Sequence, residues 1–218
     1  FRNEGHFDLI QKQLRPGDFV VIQFGHNDQK HPHLQAYNGY PENLRRFIAE
    51  IRAKKALPIL ATPIARNVWT EQNGKLTYND LLHDHAQACI ALGKELNVPV
   101  LDLHQAAMDE IIRLGRDASK IYYHQGDWTH TNDYGAVRAA GYAADELRSL
   151  GEAFPDYLPL IQTVSASSEP WKPEAALLLE KPARLAGVKD PNGTEEGTAA
   201  QDHQAEKDGG AEDKTAQL

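Results

Sequence analysis

The sequence has a single cysteine, Cys89, which excludes an internal disulfide and a cysteine-rich zinc site and reads as a small buried hydrophobe. It has no uninterrupted apolar run approaching the roughly 18 residues that a membrane-spanning helix needs. It has no surplus of positive charge either. Lysine and arginine number 23 against 31 acidic residues, a net charge of -8, which argues against a protein built to grip nucleic-acid phosphates. No glycine-rich phosphate loop follows any strand-like run, so a flavodoxin-like nucleotide or flavin binder is disfavoured. No internal repeat is evident. What is present is an ordinary globular composition, 41% apolar and 25% charged over 218 residues, enough for one domain with a sizeable core.

The acidity is uneven. The stretch from Ser165 to Leu218 carries 11 acidic and 6 basic residues, and after Asp190 no large apolar residue appears until Leu218. Such a segment cannot bury enough surface to offset its ordering entropy. The expected organisation is therefore a folded domain over 1–160 and an acidic, disordered tail over 161–218.

Within 1–160, helix and strand signals alternate. Phe19–Phe24 is a nearly continuous apolar run that suits a strand covered on both faces; Leu57–Ala61 and Val98–Asp102 are shorter candidates. Helical spacing marks Glu4–Leu14, Pro41–Lys55, Asn79–Leu96, Gln105–Leu114 and Asn132–Leu150, the last with Tyr134, Val137, Gly141, Ala144 and Leu147 facing inward. This alternation predicts a parallel sheet with helices on both faces, whose ligands bind beyond the carboxyl ends of the strands.

Two segments fall where such a site would lie. Gly25-His26-Asn27-Asp28 directly follows the first strand; the glycine permits a tight turn and the asparagine can aim its amide at a developing oxyanion. Asp127-Trp128-Thr129-His130 precedes the last helix; an aspartate three positions ahead of a histidine can accept its Nδ1 proton and leave Nε2 as a base. Each segment alone also reads as ordinary chemistry, the first as a turn and the second as a helix start capped by Thr131 or Asn132. The ten histidines include His31-x-His33 and His83-x-His85, but i, i+2 spacing does not share a helix face, and surface histidines are the better reading than metal.

Together the two segments resemble the Gly-x-Asn-Asp and Asp-x-x-His blocks of the SGNH, or GDSL-like, hydrolases. Val21–Asp28, Leu60-Ala61-Thr62-Pro63-Ile64 and Asp127–Ala136 resemble in particular the rhamnogalacturonan acetylesterases. The resemblance runs from about Phe1 to Leu150 in the family's order. It implies a three-layer α/β/α, flavodoxin-like parallel sheet and ester hydrolysis through an acyl-enzyme. His130 would be the base, Asp127 its orienting carboxylate, Asn27 an oxyanion donor and Gly25 the turn that places it. The substrate would be an acetylated polysaccharide or oligosaccharide. By position, His31 follows the Asn27 loop and can line its cleft, while Trp69 and Trp128 suit either a sugar platform or plain loop packing. No metal or organic cofactor, nucleic acid or membrane is implied, and a pectic substrate favours secretion or the cell envelope over the cytoplasm.

One departure stands out. The family's serine lies in a Gly-Asp-Ser segment after its first strand, whereas no serine here precedes Ser119. Phe1-Arg2-Asn3-Glu4-Gly5 matches a stretch that in the family follows the second block. The expectation is thus an N-terminally truncated chain, missing its first strand or strands and its nucleophile, inactive and poorly soluble by itself. Another esterase or lipase of the superfamily, a xylan deacetylase, and a non-catalytic glycan-binding relative are the alternatives.

Overall fold

The computed structural model describes residues 1–167. A parallel three-stranded sheet forms its centre: β1 (Phe19–Gln23), β2 (Leu57–Ala61) and β5 (Val100–Leu101), in the order β1-β2-β5. The register runs from Phe19 opposite Leu57 to Gln23 opposite Ala61, and Ala61 in turn faces Leu101. All three carboxyl ends therefore share one edge of the molecule.

Helices cover both faces, as the alternation predicts. On one face α1 (His6–Gln13), α2 (Gly39–Ala53) and α3 (His83–Leu96) bury Phe7, Leu44, Phe47, Ile48, Ile51, Cys89 and Leu92 against Ile22 and Leu60. Cys89 is fully buried there, and burial pushes its thiol up to about 12. On the other face α4 (Leu103–Leu114), α5 (Asp133–Ser149) and α6 (Leu158–Ser167) bury Ala107, Ile111, Tyr142, Leu147 and Ile161 against Ile59, Ala61 and Leu101. Tyr157 ties the start of α6 to the sheet by donating to the Pro58 carbonyl at 2.8 Å.

Four expectations change. β1 is covered unevenly: Val20 and Ile22 pack into the core under α2, and on the other face Phe19 packs beside Tyr157 while Val21 is 54% exposed. On α5, Val137 faces solvent, and Tyr142 is buried together with the expected Leu147. Between Leu57–Ala61 and the helix expected from Asn79, where no element is expected, β3 (Trp69–Gln72) and β4 (Lys75–Tyr78) form an antiparallel hairpin. Helix α6 carries the folded part past the expected boundary at 160, with Ile161 in the core. The rest of the acidic tail, from 168 on, lies outside the described residues.

Candidate active site

The segment after β1 turns sharply. Gly25 has φ +138°, and a Cβ there would stand 2.8 Å from the Pro63 ring, so only glycine fits without strain. The buried Asp28 carboxylate accepts the Gly25 N–H at 2.9 Å, and the Gly25 carbonyl accepts from Gln29 N at 3.1 Å. This closed turn leaves Asn27 exposed at its crest. Asn27 and His31 line one cavity of about 470 Å³ together with His33 and Arg46. His31 is exposed, and its ring sits beside that of His33.

The second segment is a closed loop ahead of α5. Tyr123 and Thr131 form an isolated antiparallel bridge, His124 N donates to the His130 carbonyl at 3.2 Å, and Asp127 N donates to the His124 carbonyl at 3.0 Å. Inside it, Asp127 Oδ1 accepts from the Thr129 and His130 amides at 2.6 and 3.0 Å, while Oδ2 meets His130 Nδ1 at 2.7 Å. Burial pushes the Asp127 carboxyl up, but these amides and the His130 ring outweigh it and hold the group below the ordinary aspartate value. An anionic Asp127 at Nδ1 fixes the imidazole proton on that nitrogen. With Nδ1 turned to Asp127, the other ring nitrogen, Nε2, belongs to a side chain that is 62% exposed.

Asn132 anchors this loop to α5. Its Nδ2 donates to the Ile121 and Tyr123 carbonyls at 2.9 and 2.8 Å, and its Oδ1 caps α5 by accepting from Gly135 N at 2.9 Å. His26 connects the two segments electrostatically. Burial first, then the Arg66 guanidinium, push its imidazole down to about 4, with a smaller contribution from His130.

Trp69 and Trp128 meet through Asn67, whose N–H donates to the Trp128 carbonyl at 2.9 Å and whose Oδ1 accepts from Trp69 Nε1 at 2.6 Å. Trp69 packs edge-on against Tyr78 and is only partly exposed. Neither tryptophan lines the Asn27 cavity. The structure thus pairs Asp127 with His130, ties the Trp69 indole and the Trp128 backbone to Asn67, and groups Asn27 with His31.

The GDSL-like lipase/acylhydrolase family model matches residues 2–144. This chain belongs to that family. Among curated relatives, the GDSL-family chain is 32% identical over 171 residues to rhamnogalacturonan acetylesterase RhgT of Bacillus subtilis (strain 168), covering 72% of each chain. It is 30% identical over 175 residues to the probable rhamnogalacturonan acetylesterase YesY of the same organism, covering 75% of each. It superposes on a crystal structure of Bacillus subtilis YxiM with a TM-score of 0.60 at 29% identity, covering 69% of this chain and 42% of that one. The fold is therefore that of a GDSL-family hydrolase, and the chemistry is that of an esterase family.

Among the described side chains, Ser119, Ser149 and Ser165 of this GDSL-family chain do not bond to His130. Ser119 is fully buried, its hydroxyl donating to the Gly115 carbonyl at 2.8 Å; Ser149 donates to the Glu146 carbonyl at 2.7 Å; Ser165 and Ser167 lie on α6. Ser168 is outside the described residues. The turn reading of Gly25–Asp28 holds, with Asp28 as the group that closes it, whereas nothing in the sequence signals that Arg66 and Asn67 are buried partners of the two segments. Asn73-Gly74, at φ +53° and +72°, was the available signal for the hairpin that holds that dipeptide.

Proposed function

We propose that this GDSL-family chain serves a carbohydrate esterase that hydrolyses acetyl esters of rhamnogalacturonan. The carrying observation is the Asp127–His130 pair, with Nδ1 held at 2.7 Å and Nε2 turned to an exposed surface. His130 takes the proton of a serine hydroxyl as that oxygen attacks the acetyl carbonyl. The Asn27 side chain, raised on the Gly25–Asp28 turn, donates to the oxyanion that forms. His130 then protonates the leaving sugar oxygen, and water releases acetate from the acyl-enzyme by the same route in reverse. His31 and the partly exposed Trp69 and Trp128 contact the glycan, and the names of the two acetylesterase relatives support this substrate.

The attacking serine belongs to a Gly-Asp-Ser segment of the kind the resembled family carries, and no such segment is among these 218 residues. The 218-residue chain alone is then inactive, and a chain carrying that segment releases acetate from acetylated rhamnogalacturonan faster than from acetylated xylan. In the active chain His130→Ala removes most turnover and Asn27→Ala lowers it by about 10²–10³-fold. Acetate release measures each point; hydrolysis by the 218-residue chain itself, or near-normal turnover in either variant, overturns the assignment.

A further inference from the structure

The loop after β2, residues 62–67, is almost entirely buried: Thr62 0%, Ala65 1%, Arg66 5%, Asn67 6%. Its last two residues reach in different directions. Arg66 Nη2 donates to the His26 carbonyl at 3.1 Å. With the Gln29 amide oriented so that its oxygen faces the guanidinium, Arg66 Nη1 and Nη2 donate to that oxygen at 3.1 and 2.9 Å, while the Gln29 amide nitrogen donates to the Leu81 carbonyl at 2.9 Å. The opposite orientation would set N–H against N–H. One guanidinium thus holds the residue before Asn27 and the residue two after it.

Asn67 serves the other segment. Its N–H donates to the Trp128 carbonyl, two residues ahead of His130, and its Nδ2 donates to the Arg116 carbonyl at 3.0 Å. The loop is held in turn from both sides. Tyr123 donates to the Ala65 carbonyl at 3.1 Å, and Tyr78 of β4 donates to the Arg66 carbonyl at 2.9 Å.

We propose that Arg66 and Asn67 are positioning residues that set the placement of Asn27 against His130, Arg66 by clamping the Asn27 turn and Asn67 by holding the Asp127–His130 loop. The catalytic part of this inference rests on the esterase reading above; the mechanical part does not. A planar fork with several donors can hold two carbonyl-type oxygens at fixed angles, which a flexible ammonium does less well. Adjacent residues of one buried loop transmit little slack, so the spacing of the two segments is held through it. Displacing a reacting group by about 1 Å can cost on the order of 10²-fold in rate.

Two measurements test this. In the 218-residue chain, amide hydrogen exchange read by mass spectrometry compares wild type with Arg66→Gln, Arg66→Lys and Asn67→Ala. Arg66→Gln is expected to speed exchange in 26–31 by about tenfold or more, with Arg66→Lys intermediate and β2 amides unchanged; Asn67→Ala is expected to do the same in 124–130 instead. Unchanged exchange in those loops, or a uniform rise that includes β2, overturns the proposal. In a chain that hydrolyses an acetyl ester, Arg66→Gln is expected to lower kcat by about 10–100-fold with KM within twofold, and Arg66→Lys to recover part of it. A raised KM at unchanged kcat overturns the catalytic part. Absence of hydrolysis by the wild-type active chain defeats the esterase reading instead, and the exchange comparison then decides the clamp alone.

Discussion

Burial, and then the Arg66 guanidinium, push the His26 imidazole from 6.5 down to about 4. In the unfolded chain that ring titrates near its ordinary value. Between pH 6.5 and 4 the unfolded chain therefore binds a proton that the folded chain refuses. Stability from this residue is intact above 6.5, falls as the pH drops through that window by up to about 3 kcal/mol, and levels off below 4. Urea unfolding at pH 7, 5.5 and 4 should show a shallower loss in His26→Gln than in wild type; equal losses would contradict the depressed value. Asp127 behaves with the opposite sign of charge. Its lowered carboxyl contributes stability above the ordinary aspartate range, which is lost only as the pH falls through its depressed value. The Asp127–His130 contact was legible in sequence because a carboxylate three residues away reaches the ring within one loop. His26 was not, since its state depends on an arginine 40 positions along the chain.

At the scale of elements, the start of α5 shows how local rules and tertiary contact combine. Asparagine as an N-cap is readable from sequence, and Asn132 fills that role for Gly135 N. The requirement for glycine at 135 is not readable, because a Cβ there would lie 2.0 Å from the Tyr122 carbonyl oxygen, a backbone atom that cannot step aside. Gly135→Ala should therefore destabilise the fold by about 3 kcal/mol and loosen the 123–131 loop, as overpacking against backbone does. Thermal unfolding of this variant beside Ala136→Gly, an exposed helix-start change, checks it; comparable small losses in both would remove the steric argument. The hairpin was missed for a different reason. Only Trp69, Leu76 and Tyr78 of β3 and β4 are partly buried, so the pair has too few apolar positions to show a period of two, and the Asn73-Gly74 turn alone marked it.

For the whole molecule, the open side of β1 dominates. Val21 is 54% exposed and β1 has no partner on its outer edge among the described residues. Unpaired apolar edge strands template association with other copies. The 218-residue chain is expected to scatter light and elute as oligomers at micromolar concentration, and Val21→Lys to shift it toward monomer. Light scattering on both at matched concentration measures this, and a monomeric wild-type chain would remove the premise.

Local pattern alone accounts for the layered α/β order, the three strands of the parallel sheet, five of the six described α-helices and the Asp127–His130 contact. Each follows from periodicity or from reach within a few residues. Tertiary contact settles that Val21 of β1 stays open, that Val137 turns out while Tyr142 turns in, and that Arg66 and Asn67 bond to the segments after β1 and ahead of α5. Those outcomes depend on which surfaces meet after crossovers of 40 to 60 residues. Local pattern carries no record of such meetings, because a buried arginine and a surface arginine are the same letter until their partners arrive.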